Sequence, residues 1–295
     1  MLDFRVETFL CVCRHMNYTK AAEELNITQP AVSLHIKYLE QYYNTNLFIY
    51  ENKKLHLTPA GKILYYRLKT LDNDERMLKK ELLTSSSTIE NLSIGVTMTV
   101  GEYAIIQPLS TFLKNHPNIN VHVHFGNTKE LLEMMVRGEI NLALVEGYFS
   151  KDEYEHMNYS NEKYVAVCAY THEFSNGIPN KLSDLFGERL LIREKGSGTR
   201  TILERNLDAK GFSLSSFIHY TEVENMHTII GLLERDCGIS FLYKIAAEKQ
   251  LQNHSLREID LSDFHMEHEF DFIWEKGSIY SDKYSDICRE LISCR

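Results

Sequence analysis

Six leucines constrain this chain before anything else does. Leu57, Leu64, Leu68, Leu71, Leu78 and Leu82 follow a seven-residue repeat, with Gly61 and Glu75 in the missing seam positions. The residues between them are mostly polar or charged. The pattern predicts one helix from Thr58 to about Leu83, about 25 residues and roughly 40 Å long, with a narrow apolar seam. Such a seam either packs on its own domain or meets a second copy of the chain. Its length and charged flanks favour a coiled-coil contact between copies. "TSSSTIEN", starting at Thr84, then reads as a hinge.

Before the long helix, the first 43 residues read as helix, turn, helix. Phe4, Phe9 and Val12 are among the apolar positions between Leu2 and Met16. Thr19 is placed to cap a short second helix, "KAAEEL", which Asn26 ends, since Asn tolerates the left-handed backbone of a helix stop. Thr28 is placed to cap a third helix, with Pro30 in its first turn. Val32, Ile36 and Leu39 form its buried stripe. Two short apolar runs, "LFIY" and "LHL", then flank "ENKK" and predict a β-hairpin with a basic tip at Lys53 and Lys54. Three helices followed by such a hairpin make a winged helix.

From Leu92 the pattern changes to short apolar runs ("LSIGV", "NVHVHF", "INLALVEG", "YVAVCAY", "RLLIRE", "FIHYTEV", "GISFLY", "EFDFIWE") alternating with helical stretches. That alternation predicts an α/β body with parallel strands and crossover helices.

Charge is divided along the chain. The whole carries a net −9. Residues 1–88 hold 12 Lys and Arg against 10 Asp and Glu, a balance of +2, and the remainder holds 20 against 31, a balance of −11. The acidic total therefore does not exclude nucleic-acid binding at the N-terminus, which depends on charge near the phosphates. No apolar run approaches the roughly 18 residues that span a bilayer. "MLDFRVETFLCVCRHMNYT" lacks the basic lead and cleavage site of a signal peptide. A cytoplasmic protein without membrane attachment is expected. The 6 cysteines are scattered without a C-x-x-C pair and predict reduced, mostly buried thiols. His122 and His124 share a face if "NVHVHF" is a strand, and "HMEHE" adds His265 and His268; ligation would need them to converge, which the sequence does not show, so no metal is expected. No cofactor is expected either.

"REKGSGTR", Arg193 to Arg200, looks like a phosphate loop. It fails the Walker pattern, because no lysine follows the glycines, and it fails the dinucleotide pattern and the nucleophile elbow as well. What remains is a strand ending in glycines, hydroxyls and a helix start. There, backbone N–H groups and the helix dipole favour a small anion. Arg193 and Arg200 either add positive charge or form structural ion pairs. The loop reads as a ligand sensor rather than a catalytic site, and no nucleophile with an assignable base is found, so an enzyme is not expected.

"NYTKAAEELNITQPAVSLHIKYLEQYYNTNLFIYENKKLHLTPAGKILY" closely resembles the N-terminal domain of LysR-type transcriptional regulators. Ala21-Ala22, Leu25, "TQPAVS", "LE", "LF" and "LTPAG" occur in that family's order and spacing. "LSIGVTMTVGEY" and "REKGSGTR" resemble the effector domains of the subgroup that includes regulators of carbon fixation and sulfur assimilation. The resemblance implies a winged helix-turn-helix DNA-binding domain over residues 1–58, a linker and dimerisation helix with its hinge over 59–89, and an effector-binding domain over 90–295. The last is expected to be two-lobed like periplasmic binding proteins, lobe I spanning about 90–161 and 266–295 and lobe II about 162–265.

On that resemblance the third helix enters the major groove of double-stranded DNA. Thr28, Gln29, Pro30, Ser33, Leu34, His35 and Lys37 are its candidate contact residues, joined by Lys53 and Lys54 at the wing tip. Gln29 pairs bidentately with adenine, Ser33 donates to a base or phosphate, and Lys37 meets a phosphate or guanine. Leu34 and His35 depart from the family, which often has longer polar or basic residues there. The resemblance also places the glycine loop at a cleft between the lobes. Thr97, Thr99, Asn127, Thr128, Arg193, Gly196, Ser197, Gly198 and Thr199 are its candidate ligand contacts. Glu146 belongs there too, and would repel an anion, bind a cationic group, or pair with Arg193 or Arg200. The expected function is sequence-specific transcriptional regulation, as an activator responding to a small anionic effector. The expected partners are operator DNA, the chain itself as a dimer and as a tetramer of two dimers, and RNA polymerase. The rival reading is a small-molecule binding protein whose N-terminal domain serves only oligomerisation.

Overall fold

The computed structural model describes residues 3–84 and 90–295. They form two compact units, the first comprising the N-terminal part with residues 136–138 and 275–281, the second the remainder. Most of the expected hinge lies outside the described residues.

In the first unit, α1 (Phe4–His15), α2 (Tyr18–Glu24) and α3 (Gln29–Tyr42) precede a hairpin of β1 (Phe48–Glu51) and β2 (Lys54–Leu57), and α4 (Pro59–Thr84) follows. Asn17, not Thr19, caps α2: from an extended backbone its side chain accepts from the amides of Thr19 and Lys20. Asn26 takes the expected left-handed conformation, φ 53°. Thr28 caps α3 by accepting from the Ala31 amide, with Pro30 in the first turn. Val32, Ile36 and Leu39 are buried in one core with Phe9, Val12 and Ala21. Each of the larger side chains, from valine to phenylalanine, is worth about 1.5–3 kcal/mol of burial. β1 and β2 pair from Phe48↔Leu57 to Glu51↔Lys54. The turn residues Asn52 and Lys53 both have positive φ, the two-residue geometry whose twist matches the strands.

α4 runs 26 residues, and its seam divides. Leu68 joins the winged-helix core and Leu64 packs against it. Leu71 and Leu78 stay open, 48% and 44% exposed. A second, polar stripe of α4 is buried. Thr70, Asn73 and Asp74 lie against residues 275–281, where Ser278 Oγ and the Ile279 amide both donate to the Asp74 carboxylate, at 2.6 and 3.0 Å.

The second unit opens with β3 (Glu90–Val96), a π-helical turn at Val100–Ala104, α5 (Ile106–Asn115), β4 (Ile119–Phe125), α6 (Thr128–Val136) and β5 (Leu142–Val145). The long strand β6 (Tyr154–Ala169) leads to β7 (Arg189–Ile192), α7 (Gly198–Ala209), β8 (His219–Glu222), α8 (Met226–Leu233) and β9 (Ile239–Tyr243). α9 (Lys244–Gln252), β10 (Leu256–Ile259), β11 (Met266–Glu275) and α10 (Ser281–Ser293) complete it. The strand order is β4-β3-β5-β11-β6-β9-β7-β8, with β10 beside β6. β3 is parallel to β4 and β5, and β7 is parallel to β8 and β9. The antiparallel strands β11 and β6 stand between these two sets. The result is a two-lobed body with a parallel sheet segment in each lobe. Among the described residues, no helix is long and apolar enough to cross a membrane.

Candidate functional sites

The outward face of α3 carries Gln29, Pro30, Leu34 and Lys37, all exposed, with Ser33 half-buried beside them. Leu34 is 66% exposed, an apolar side chain held in water at the centre of the face. Gln29 Nε2 donates to Ser33 Oγ at 2.9 Å, so the two present one polar unit. Thr28 is the cap at the head of the helix. Lys53 and Lys54 are exposed at the tip of the hairpin. His35 departs from the expectation. Its Nδ1 lies 2.9 Å from Thr8 Oγ1 and its ring packs edge-on to Phe4, so it braces α3 on α1. Burial holds its pKa below the usual imidazole range. Arg5 and Tyr38 were missed: the Arg5 guanidinium lies 4.0 Å over the Tyr38 ring, and Tyr38 stacks on Tyr42. Only the fold brings residue 5 to residue 38.

The second site is built at the carboxyl ends of parallel strands, where open α/β sheets place their ligand loops. Thr97 and Thr99 follow β3, Asn127 and Thr128 follow β4, Glu146 follows β5, and Arg193 with the glycine loop follows β7. The loops touch one another. Gly198 packs so tightly on Glu146 that a Cβ would lie 2.9 Å from the Glu146 Cγ. Gly196 has φ +98°, a conformation that favours glycine, and faces the Asn127 amide nitrogen. Asn127 and Glu130 form a reciprocal cap at the start of α6: each donates its backbone N–H to the other's side chain.

Glu146 lies at the centre. Its Oε1 accepts from Thr199 Oγ1 at 3.1 Å and from Thr99 Oγ1 at 3.4 Å. Its Oε2 is buried without a hydrogen-bond partner. Burial pushes its pKa up to about 7, against the opposing pull of the two threonine hydroxyls and the Arg193 charge. The pairing with Arg193 or Arg200 is not formed. Arg200 is structural, held by Glu204, Glu222 and the Arg193 carbonyl. Arg193 directs Nε and Nη2 at Glu194, at 2.7 and 2.9 Å, and keeps Nη1 buried and unpartnered. The hydroxyls of Thr97, Thr128 and Ser197 are also buried without partners. Ser197 stands at the N-cap of α7 yet makes no capping bond with its side chain. Buried polar groups are nearly always satisfied, so five unsatisfied atoms in one set of touching loops make these loops the candidate ligand site.

Two tyrosines were missed. Tyr164 in β6 donates to the Thr199 and Phe241 carbonyls, and Tyr243 in β9 donates to the Glu146 carbonyl. Both are buried, and nothing in their sequence neighbourhoods separates them from the other tyrosines.

The histidines that invited a metal reading do not form a ligand cluster among the described residues. Among the described residues, the one group of three donors close enough is Cys11, His15 and Glu24. There the Glu24 carboxylate already accepts from Arg14 at 2.5 Å and pairs with His15.

The profile of the LysR substrate binding domain matches residues 86–291, and that of the bacterial regulatory helix-turn-helix protein, lysR family, matches residues 5–62. The HTH-type transcriptional regulator CysL of Bacillus subtilis is 29% identical over 269 residues, covering 91% of this chain and 89% of CysL. The RuBisCO operon transcriptional regulator of Allochromatium vinosum is 26% identical over 275 residues, covering 92% and 89%. Full-length LysG from Corynebacterium glutamicum with bound effector Arg superposes with a TM-score of 0.64 at 14% identity, covering 99% of each chain. The Synechocystis CcmR regulatory domain in complex with 2-PG gives 0.61 at 18% identity, covering 69% of this chain and 96% of that one. With a helix-turn-helix module at one end and an effector-type domain over most of its length, the chain belongs to the LysR family of transcriptional regulators.

Proposed function

We propose that this regulator activates transcription when a small oxyanion occupies the loop-lined site of its C-terminal domain. The chain is a DNA-binding regulator and not an enzyme. The observation that carries the anion is the set of unpartnered donors: three hydroxyls and the Arg193 Nη1, beside the first turn of α7. Helix N-termini and arginine both favour negative ligands. The CcmR domain's 2-PG supports the same ligand class for this chain. The exposed leucines of α4 carry dimerisation, and dimers pair into tetramers. An effector that binds one arrangement better than another shifts their populations, and with them the bend in operator DNA and the contact with RNA polymerase. The Thr97, Thr99, Asn127, Thr128 and Ser197 side chains line the ligand, and Gln29, Ser33 and Lys37 read bases.

The test is anisotropy binding to the DNA upstream of the chain's own gene against a scrambled duplex, across a salt series, with and without small anions. A preference of about a thousandfold is the expected scale for a specific regulator. Thr99→Val and Ser197→Ala should abolish the response to anion while basal DNA binding survives. Normal responses in both variants would sink the site assignment. An anion that strengthens binding but lowers transcription from the same promoter would reverse the sign.

A further inference from the structure

We propose that the site takes its anion together with a proton carried on Glu146, so that the bound ligand is an oxyanion accepting a hydrogen bond from a neutral Glu146 carboxyl. The inference rests on the anion reading above and adds the protonation state of the site.

The argument starts from which charges face Glu146. The turn after β3 brings Thr99 and α7 brings Thr199, both neutral hydroxyls that already use Oε1. β6 brings Tyr164 and β9 brings Tyr243, whose phenols burial holds well above the usual range and therefore neutral. Behind Tyr243, His268 of β11 approaches its hydroxyl at 3.4 Å, and burial lowers the imidazole's pKa, which keeps it uncharged near neutrality. β7 brings Arg193, the one cation acting on Glu146 among the described residues, and Arg193 already faces the Glu194 carboxylate with two nitrogens.

The site therefore holds a carboxylate that is 2% exposed, with one free oxygen and no cation bonded to it. An anion drawn to Arg193 Nη1, Ser197 Oγ and the α7 N-terminus would enter beside that carboxylate. Two unscreened negative charges in one buried site cannot both persist, and in paired carboxylates the strain is relieved by taking up a proton. Protonated Glu146 does more than remove repulsion. Its free oxygen becomes a donor, which joins the three unpartnered hydroxyls and the arginine nitrogen as a complete donor set. Burial has already moved the carboxyl to where neutral pH can supply the proton. The uptake is a protonation equilibrium only: the proton comes from solvent to Oε2, and no other bond changes.

The experiment is calorimetric titration of the full-length protein with sodium sulfate and sodium methanesulfonate, whose own charges are fixed between pH 6 and 8.5. Ionic strength is held constant, and buffers of different ionisation enthalpy count the protons. With the free carboxyl titrating near 7, the affinity for each anion should fall about thirtyfold from pH 6 to pH 8.5, with close to one proton taken up per site at the upper end. Glu146→Gln presents a donor that cannot ionise. It should bind sulfate at pH 8.5 as tightly as the parent does at pH 6, with no proton uptake. Anion binding that is flat with pH and takes up no proton in the parent protein would leave the anion reading standing and overturn this one, whether or not the variant folds. Tighter binding of 2-aminoethanesulfonate than ethanesulfonate at pH 6–7, where its amine carries a positive charge, would show Glu146 ionised against an ammonium group, and would overturn it too. Failure of both anions to bind at any pH would remove the anion reading itself and this inference with it.

Discussion

Arg193 and Glu194 are neighbours in sequence and close a two-point ion pair, Nε to Oε2 at 2.7 Å and Nη2 to Oε1 at 2.9 Å. The pair leaves Arg193 one unpartnered nitrogen, Nη1, and it also tempers the charge that the arginine offers a ligand. Glu194 is partly exposed, whereas the Arg193 side chain is 2% exposed. Glu194→Ala should therefore tighten anion binding, by roughly tenfold, about 1.4 kcal/mol. The same change strands a buried cation and should lower the thermal midpoint of the free protein. Added sulfate should then raise the variant's midpoint more than the parent's. A variant that binds no tighter would mean that Arg193 acts in the fold rather than on the ligand.

The seam of α4 is divided between a buried leucine and two open ones. Leu68 is 6% exposed in the winged-helix core, while Leu71 and Leu78 are open. Leu71→Glu with Leu78→Glu should leave the fold intact and shift the protein from dimer to monomer, measured by light scattering, with a matching loss of operator affinity. Leu68→Ala should do the reverse, costing about 2–5 kcal/mol of stability while the assembled state persists in whatever remains folded. A dimer that survives both glutamates would move the self-contact off this helix.

The wing and the reading helix should fail in different ways. Lys53→Ala with Lys54→Ala should weaken binding to specific and scrambled duplexes alike and flatten the salt dependence by about two phosphate contacts. Ser33→Ala with Lys37→Ala should cost more on the operator than on the scrambled duplex, by about 1–3 kcal/mol per lost base contact. His35→Ala is expected to lower stability, through its lost contact with Thr8, more than it alters base preference.

What the sequence could say followed from how local each cause was. The buried stripe of α3, the Thr28 cap and the existence of the hairpin depend on residues a few positions apart, and all were legible; its turn proved tighter than "ENKK", since Glu51 and Lys54 pair in the strands and leave only Asn52 and Lys53 in the turn. The α2 cap fell to Asn17 because two candidate caps stood two residues apart, and backbone direction, not side-chain type, decided between them. β6 was read only from Tyr164, since its first half, "YEHMNYSNEK", mixes charged and apolar residues while passing between the lobes. The candidate site loops were picked out through the family resemblance and the glycine spacing. Tyr164 and Tyr243 could not be found that way, because their roles depend on strands that meet only in the folded sheet. The same holds for Glu146: its position was legible, but its isolation from both arginines was a matter of three-dimensional packing.

That isolation sets how the free protein responds to pH. Glu146 and Glu275 are buried carboxyls whose pKa is raised from 4.5 to about 7, in each case chiefly by burial. In the unfolded chain both release their protons near pH 4.5, while the folded protein keeps them until about 7. Between these values the folded state binds more protons, so stability falls as pH rises, and above 7 the loss is complete. Each group contributes up to roughly 3 kcal/mol of this decline, from about 2.5 pKa units at 1.36 kcal/mol each. Glu24 works in the opposite sense, held at about 2 by hydrogen bonds from His15 and Arg14, but its effect is confined to pH below 4.5. His35 and His268, whose imidazoles burial holds below their usual range, oppose the decline up to about pH 6.5, but the two carboxyls are shifted further, so thermal midpoints measured from pH 5 to 8 should still fall. The two carboxyls lie in different compact units, Glu275 with the linker helix and Glu146 with the effector-type domain. Glu275→Gln should flatten the decline in the transition that carries the winged helix, and Glu146→Gln should flatten it in the other. Midpoints that do not fall across this range would show that both carboxyls ionise in the folded state as readily as in water.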